Sequence, residues 1–118
     1  MKFTKEHEWL MVEGDLLVVG ITEHAAEALG DVVFIDLPEA GTQVAAEDEV
    51  CVIESVKAAS DILAPVEGEI VAVNSALADN PGAVNEDPLG AWFFKMKVDD
   101  LSVIDQFMDE DDYKALIG

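Results

Sequence analysis

The run "EDEVCVIESVKAASDILAPVEGEI", Glu47 to Ile70, limits the possible folds more than any other part of the chain. From Glu47 to Glu54 the residues alternate on a period of two. Val50 and Val52 point one way, Cys51 and Ile53 the other. "SDILAPV" repeats the pattern, and Pro65 marks its end or an edge. Two such strands separated by about five short residues predict a β-hairpin with Lys57 near its tip.

The flanks read as further strands with one helix. "LLVVGIT", Leu16 to Thr22, is rich in β-branched residues. "TEHAAEALG" predicts a short helix, with Thr22 as N-cap, Glu23 in the first turn and Gly30 as the stop. "DVVFIDL" is the next strand, closed by Pro38, and "EAGTQV" turns into another extended piece. "GDVVFID" from Gly30 is echoed by "GEIVAVN" from Gly68, which predicts two similar strand units packed face to face as a sandwich or flattened barrel. "ALADNPGAVNEDPLGAW" reads as a surface loop, and "AWFFKMKV" returns to a strand. Two C-terminal helices are expected. One starts near Asp99 or Asp100, with Leu101, Ile104 and Phe107 on one stripe; the other starts near Asp109 and carries Tyr113, Leu116 and Ile117. The expectation is one domain over residues 1–118, with a sandwich core to about residue 98 and the helices over about 99–117.

Composition removes several function classes. Twenty-six acids face six lysines and no arginine, for a formal charge of −20. Such a chain repels phosphate backbones and anionic membrane surfaces, so neither nucleic acid nor membrane is an expected partner. The charge suits partners with basic docking surfaces, or simply solubility. No apolar run approaches the roughly 18 residues of a membrane span. "MKFTKEHEWL" lacks the apolar stretch of a signal peptide, and the cytosol of a bacterium is the expected location. Cys51, the single cysteine, sits in an alternating strand as a buried, inert thiol. No nucleophile elbow, phosphate loop, dinucleotide fingerprint or zinc-spaced cysteine pair is present. "HEWLM" begins like H-E-x-x-H, but its fifth residue is Met11, so no metal site is expected.

Lys57 remains. Ser55, Val56, Ala58 and Ala59 around it are small or medium in size and leave the amine open, as a lysine modified by another enzyme requires. A solvated turn lysine would look similar. At this point the chain resembles the lipoyl carriers of the glycine cleavage system, the H-protein family. The matching stretches are "TKEHEW", "VGITEHAAEALGDVVFIDLPEAG" and "ESVKAASDILAPVEGEIVAVN", extended by "NPGAVNEDP" and "WFFKMK". They cover nearly the whole chain in order.

The resemblance implies a mainly β fold with peripheral short helices, the barrel-sandwich hybrid of lipoyl and biotinyl carriers. It implies lipoate in amide linkage to Lys57, with Glu54, Ser55, Val56 and Ala58 as the context seen by the lipoyl-attaching enzyme. It implies a non-catalytic shuttle that moves an aminomethyl group from glycine decarboxylase to the aminomethyltransferase and electrons to dihydrolipoamide dehydrogenase, and a monomer. The loaded arm would fold into a surface cleft, with Glu8 and Asp61 at the matching positions. Glu6 would share the face of Glu8 if that segment is extended. Rivals are a lipoyl domain of a 2-oxo acid dehydrogenase, which usually carries D-K-A; a biotin carrier, whose lysine usually lies between methionines; a lipoate donor to other enzymes; and an unmodified acidic interaction module. The family typically reads D-P-Y-G-x-G-W before its last strand. Here "DPLGAW" is one residue shorter, with Ala91 where a glycine is usual.

Overall fold

Period-two alternation becomes two antiparallel sheets in the computed structural model, which describes all 118 residues. The strands are β1 (Lys2–Phe3), β2 (Glu8–Glu13), β3 (Leu16–Ile21), β4 (Val32–Asp36), β5 (Gln43–Val44), β6 (Glu49–Ser55), β7 (Ala59–Leu63), β8 (Gly68–Val73) and β9 (Phe94–Lys97). One sheet has the order β1-β2-β3-β9-β8-β5, the other β4-β6-β7. The echoed segments, β4 and β8, lie in opposite sheets, as a sandwich of two related units requires.

The core fills the space between the sheets. Leu10, Leu17, Val19, Ile70, Phe94 and Met96 come from the larger sheet, and Ile35, Cys51, Ile53 and Ile62 from the smaller. Each large apolar side chain among them contributes about 1.5–3 kcal/mol on burial. Cys51 and Ile53 face inward and Val52 lies on the other face, as the alternation predicts, while Val50, at a register shift against β7, is partly buried against the core. Burial, with lesser contributions from Asp36 and Glu8, pushes the Cys51 thiol up to about 12, so it stays protonated and inert.

Helix α1 (Glu23–Leu29) is bounded as its sequence predicts. The Thr22 hydroxyl accepts from the Ala25 amide, and Gly30 ends the helix at φ 75°. The stretch read as a surface loop is different. It folds into two single-turn helices, α2 (Ala76–Asp79) and α3 (Ala83–Glu86), which bury Leu77 and Val84 in the main core. Four-residue helices are too short to show a period, and their Asn, Pro and Gly content resembles that of a loop. In the shortened "DPLGAW" turn the Asp87 carbonyl accepts from Gly90 and Ala91 at 3.1 and 2.9 Å. A β-carbon at Gly90 would meet only the Asp87 carboxylate, the end of an exposed side chain that can swing aside, so the turn rests on these backbone hydrogen bonds.

The C-terminal segment begins as a 3-10 helix over Leu101–Gln106, capped by Asp100. Its three-residue turn explains the spacing of Leu101, Ile104 and Phe107, all partly buried against the core. Helix α4 (Glu110–Ile117) follows, capped by Asp109. The helix forms where it is expected, and its three apolar residues differ in burial. Tyr113 is buried, stacked on Phe3 at 4.7 Å, but Leu116 and Ile117 are exposed.

Trp9 and Gly20 are directly paired across β2 and β3, and the indole lies flat over the glycine. The indole N–H donates to the Pro88 carbonyl at 3.1 Å, tying the strand pair to the end of α3. A Gly20→Ala methyl would occupy the ring's position. We expect it to cost about 1–3 kcal/mol, read as a lower urea midpoint at unchanged slope.

Candidate functional site

The hairpin of β6 and β7 is tighter than expected. Only Val56, Lys57 and Ala58 separate the strands. The Ser55 amide donates to the Ala58 carbonyl at 2.8 Å. The Ser55 hydroxyl accepts from the amides of Lys57 and Ala58 at 3.2 and 3.1 Å and lies 3.1 Å from the Ala58 carbonyl. Short hairpins usually need left-handed residues at the turn, and none of these has positive φ. The Ser55 side chain supplies the acceptor that holds the turn instead.

The tip does not project freely. The Val56 amide donates to the Asp31 carbonyl at 3.0 Å, anchoring it to the connection between α1 and β4. The Lys57 stem lies across Gly30, where an added β-carbon would stand 3.0 Å from Cε and 3.4 Å from Nζ. That connection is clamped from behind by Asn85 of α3. Its Nδ2 donates to the Gly30 carbonyl at 2.7 Å, and its Oδ1 accepts from the Val32 amide at 2.9 Å. Lys57 is exposed and makes no ion pair; the two ion pairs of the structure are Lys95–Glu13 and Lys114–Glu110.

Beside the tip, a cleft of about 310 Å³ opens between β7 and α1. Glu6, Glu8, Ala58 and Asp61 all border it, with Ile21, Leu29 and Ile53 among its apolar walls. The structure therefore brings together all three carboxylates singled out in the sequence, next to the lysine motif. Glu54, Ser55 and Val56 do not line the cleft; they belong to the hairpin and its tip.

Glu6 and Glu8 reach the cleft in different ways. Glu6 lies in a turn, and His7 has φ 68°, so the segment is not extended and period-two reasoning fails there. The Thr4 hydroxyl accepts from the amides of Glu6 and Glu8, each at 3.2 Å, and closes that turn. His7 Nδ1 is 2.8 Å from the Tyr113 hydroxyl, which is 2.7 Å from Thr22 Oγ1. Helix α4 thus pins the left-handed residue, and burial beside His24 holds the His7 imidazole below its usual range. Glu8 is only 3 % exposed. Its Oε1 accepts from the Thr4 hydroxyl at 3.2 Å, and its Oε2 from the Leu63 amide at 2.9 Å. Leu63 belongs to β7, an edge strand, so the carboxylate takes the place of a missing neighbour strand. Burial outweighs both hydrogen bonds and raises the Glu8 carboxyl to about 7.

The glycine cleavage H-protein family model matches residues 1–118. The chain belongs to this family. It is 59 % identical over 119 residues to the glycine cleavage system H protein of Citrobacter koseri, covering 99 % of this chain and 92 % of that one. Its identity to the Escherichia coli protein of the same name is 57 % over equal coverage. The crystal structure of the Mycobacterium marinum H protein superposes with a TM-score of 0.88 at 36 % identity, over 99 % of this chain and 95 % of that one. The chain is accordingly a lipoyl carrier of the glycine cleavage system, with the lipoyl-carrier sandwich that the resemblance implied. No helix is long and apolar enough to cross a membrane.

Sequence reasoning missed Asn85 and Thr4, and it read Gly30 only as a helix stop and Tyr113 only as a residue of the C-terminal helix, without their roles at the site. Each acts across the fold or through a turn, so no local period marks it. Asn85→Ala leaves the Gly30 carbonyl and Val32 amide without their partner; a loss of about 1–3 kcal/mol in chemical denaturation is expected. For Glu8, the folded pKa of about 7 lies above the ordinary 4.5, so the folded state holds the proton more tightly. Its contribution is most favourable below about pH 4.5 and declines as pH rises toward about 7. The decline is on the order of 3 kcal/mol. Subtracting the pH–stability curve of Glu8→Gln from that of the wild type should show this loss.

Proposed function

We propose that Lys57 Nζ is the attachment point of lipoate, in amide linkage, and that the chain is the non-catalytic shuttle among the components of glycine cleavage. It receives the aminomethyl group at glycine decarboxylase, gives it up at the aminomethyltransferase, and is reoxidised by dihydrolipoamide dehydrogenase. It works as a monomer in the bacterial cytoplasm. The observation that carries this is the exposed, ion-pair-free Lys57 on an anchored hairpin tip, beside a cleft with apolar walls and buried acid.

The residues present suit the group. The bare face of Gly30 leaves room for the lysine stem, and Ile21, Leu29 and Ile53 suit a hydrocarbon chain. When attached, the lipoyl group supplies a two-electron dithiolane–dithiol couple and a sulfur that can hold a one-carbon amine. The protein's own part is positioning and shielding. Ser55 and Asp31 fix the tip, so the arm sweeps from a defined origin, and tethering replaces diffusion with a high effective concentration. Glu8 and Asp61 provide the anionic end of the cleft for an ammonium group. A Glu8 carboxyl near 7 is partly protonated when the cleft holds no cation, and a bound ammonium would draw it to the ionised form.

Intact mass and peptide mapping of the protein from its own cells test this. A lipoyl-sized adduct on Lys57, and none on Lys57→Arg, is expected. An unmodified Lys57 in cells whose other lipoyl proteins are modified would overturn the shuttle function.

A further inference from the structure

Phe34 and Val33 are adjacent in sequence, yet both are exposed, at 50 % and 55 %. In a regular strand one of them would face the core. The cause is a β-bulge. Val32 pairs with Ser55 and Phe34 with Glu54, so Val33 is an extra residue with no partner. The bulge turns two large apolar side chains to the outside of β4, an edge strand. Val56 at the hairpin tip, 67 % exposed, adds a third.

These side chains share one surface with Lys57. Phe34, Glu54 and Ala59 form one row across the outer face of the small sheet, ending at the base of the tip. Asp36, Val52 and Asp61 form the next row. The Val56–Asp31 hydrogen bond joins the tip to the start of β4. The apolar spot is thus rimmed by the exposed carboxylates of Asp31, Asp36, Glu54 and Asp61. Lys57 is the only lysine or arginine between Lys5 and Lys95.

We propose that this face, centred on Phe34 with Val33 and Val56, is where the enzyme that acylates Lys57 docks, and that this enzyme covers it with an apolar patch rimmed by lysine or arginine. The inference rests on Lys57 being the attachment point. Reach selects this partner. Enzymes that act on the far end of the arm can bind an arm's length from the tip. The acylating enzyme must close its walls around Nζ itself, and Nζ lies against Gly30, beside the start of β4. In that step the neutral amine attacks the carboxyl carbon of an activated acyl donor. The N–C bond forms, the bond to the activating group breaks, that group leaves with the electron pair, and nitrogen releases a proton. Nothing is oxidised or reduced. Amide formation removes the one cation from the face, which distinguishes substrate from product.

The test uses the unmodified full-length chain with a lipoate-attaching ligase, lipoate and ATP, following acylation by mass at several carrier concentrations. For Phe34→Ser, kcat/KM should fall about tenfold, mainly through KM, as when an interface loses an anchoring aromatic. Val33→Ser should show a smaller loss, with thermal melts confirming that both variants fold. Added salt should lower the wild-type kcat/KM. Lys57→Arg, which keeps the face but cannot be acylated, should compete with the wild type, and the double variant Phe34→Ser/Lys57→Arg should not. Unchanged kcat/KM in Phe34→Ser, or no competition by Lys57→Arg, overturns the docking site. So does a Phe34→Ser defect confined to exchange with the decarboxylase or aminomethyltransferase, or a wild-type dimer that Phe34→Ser dissociates. If the wild type is not acylated on Lys57 at all, the attachment assignment itself fails, a result distinct from all of these.

Discussion

The Glu8 carboxylate is the point on which the rest of the site hangs. It begins β2 in the larger sheet, yet it accepts from the amide of Leu63 in the smaller one. It closes the edge of β7 where no strand continues the sheet, and with Thr4 it fixes the turn before β2. An apolar residue there would leave the Leu63 amide without an acceptor, a cost comparable to a lost hydrogen bond. A buried acid has its own cost, expressed as a carboxyl that titrates near 7 rather than in the ordinary range. The same geometry leaves the cleft open beside β7 instead of filled by another strand.

Rigidity of the tip has a similar, distributed origin. The exposed lysine stands on backbone that is held from several sides. Ser55 closes the turn, Asp31 ties it to the end of α1, and Asn85 clamps the backbone on both sides of Asp31. A flexible side chain on a fixed backbone samples a limited volume, and that keeps the effective concentration at each partner high. The left-handed His7 is held in a comparable way from the far side of the cleft, by Tyr113 of the C-terminal helix.

The charge of −20 acts mainly outside the fold. Only two ion pairs form, Lys114–Glu110 at exposed positions and Lys95–Glu13 with a half-buried lysine, and pairs this open to solvent contribute little to stability. Most of the acids remain available to the field around the protein. Such a field attracts basic surfaces from several directions without selecting a face, and the proposed Phe34 contact would supply that selection.

The sequence by itself determined the features whose cause is local. Alternation fixed β6 and β7 and turned Cys51 and Ile53 inward; Thr22 and Gly30 bounded α1; the hairpin placed Lys57 at a turn. Family resemblance singled out Glu8 and Asp61, and both border the cleft beside β7. Only the tertiary structure decided the rest. It made helices of the segment read as loop, because Leu77 and Val84 find a core there that four-residue periodicity cannot announce. It left Leu116 and Ile117 exposed while Tyr113 of the same helix is buried against Phe3, a difference set by contacts with β1. It moved Glu6 off the strand face through the φ of His7, and joined Asn85 to Gly30 across 55 residues. Local pattern sets which way a side chain points, but burial and hydrogen bonding depend on what the distant chain brings to meet it.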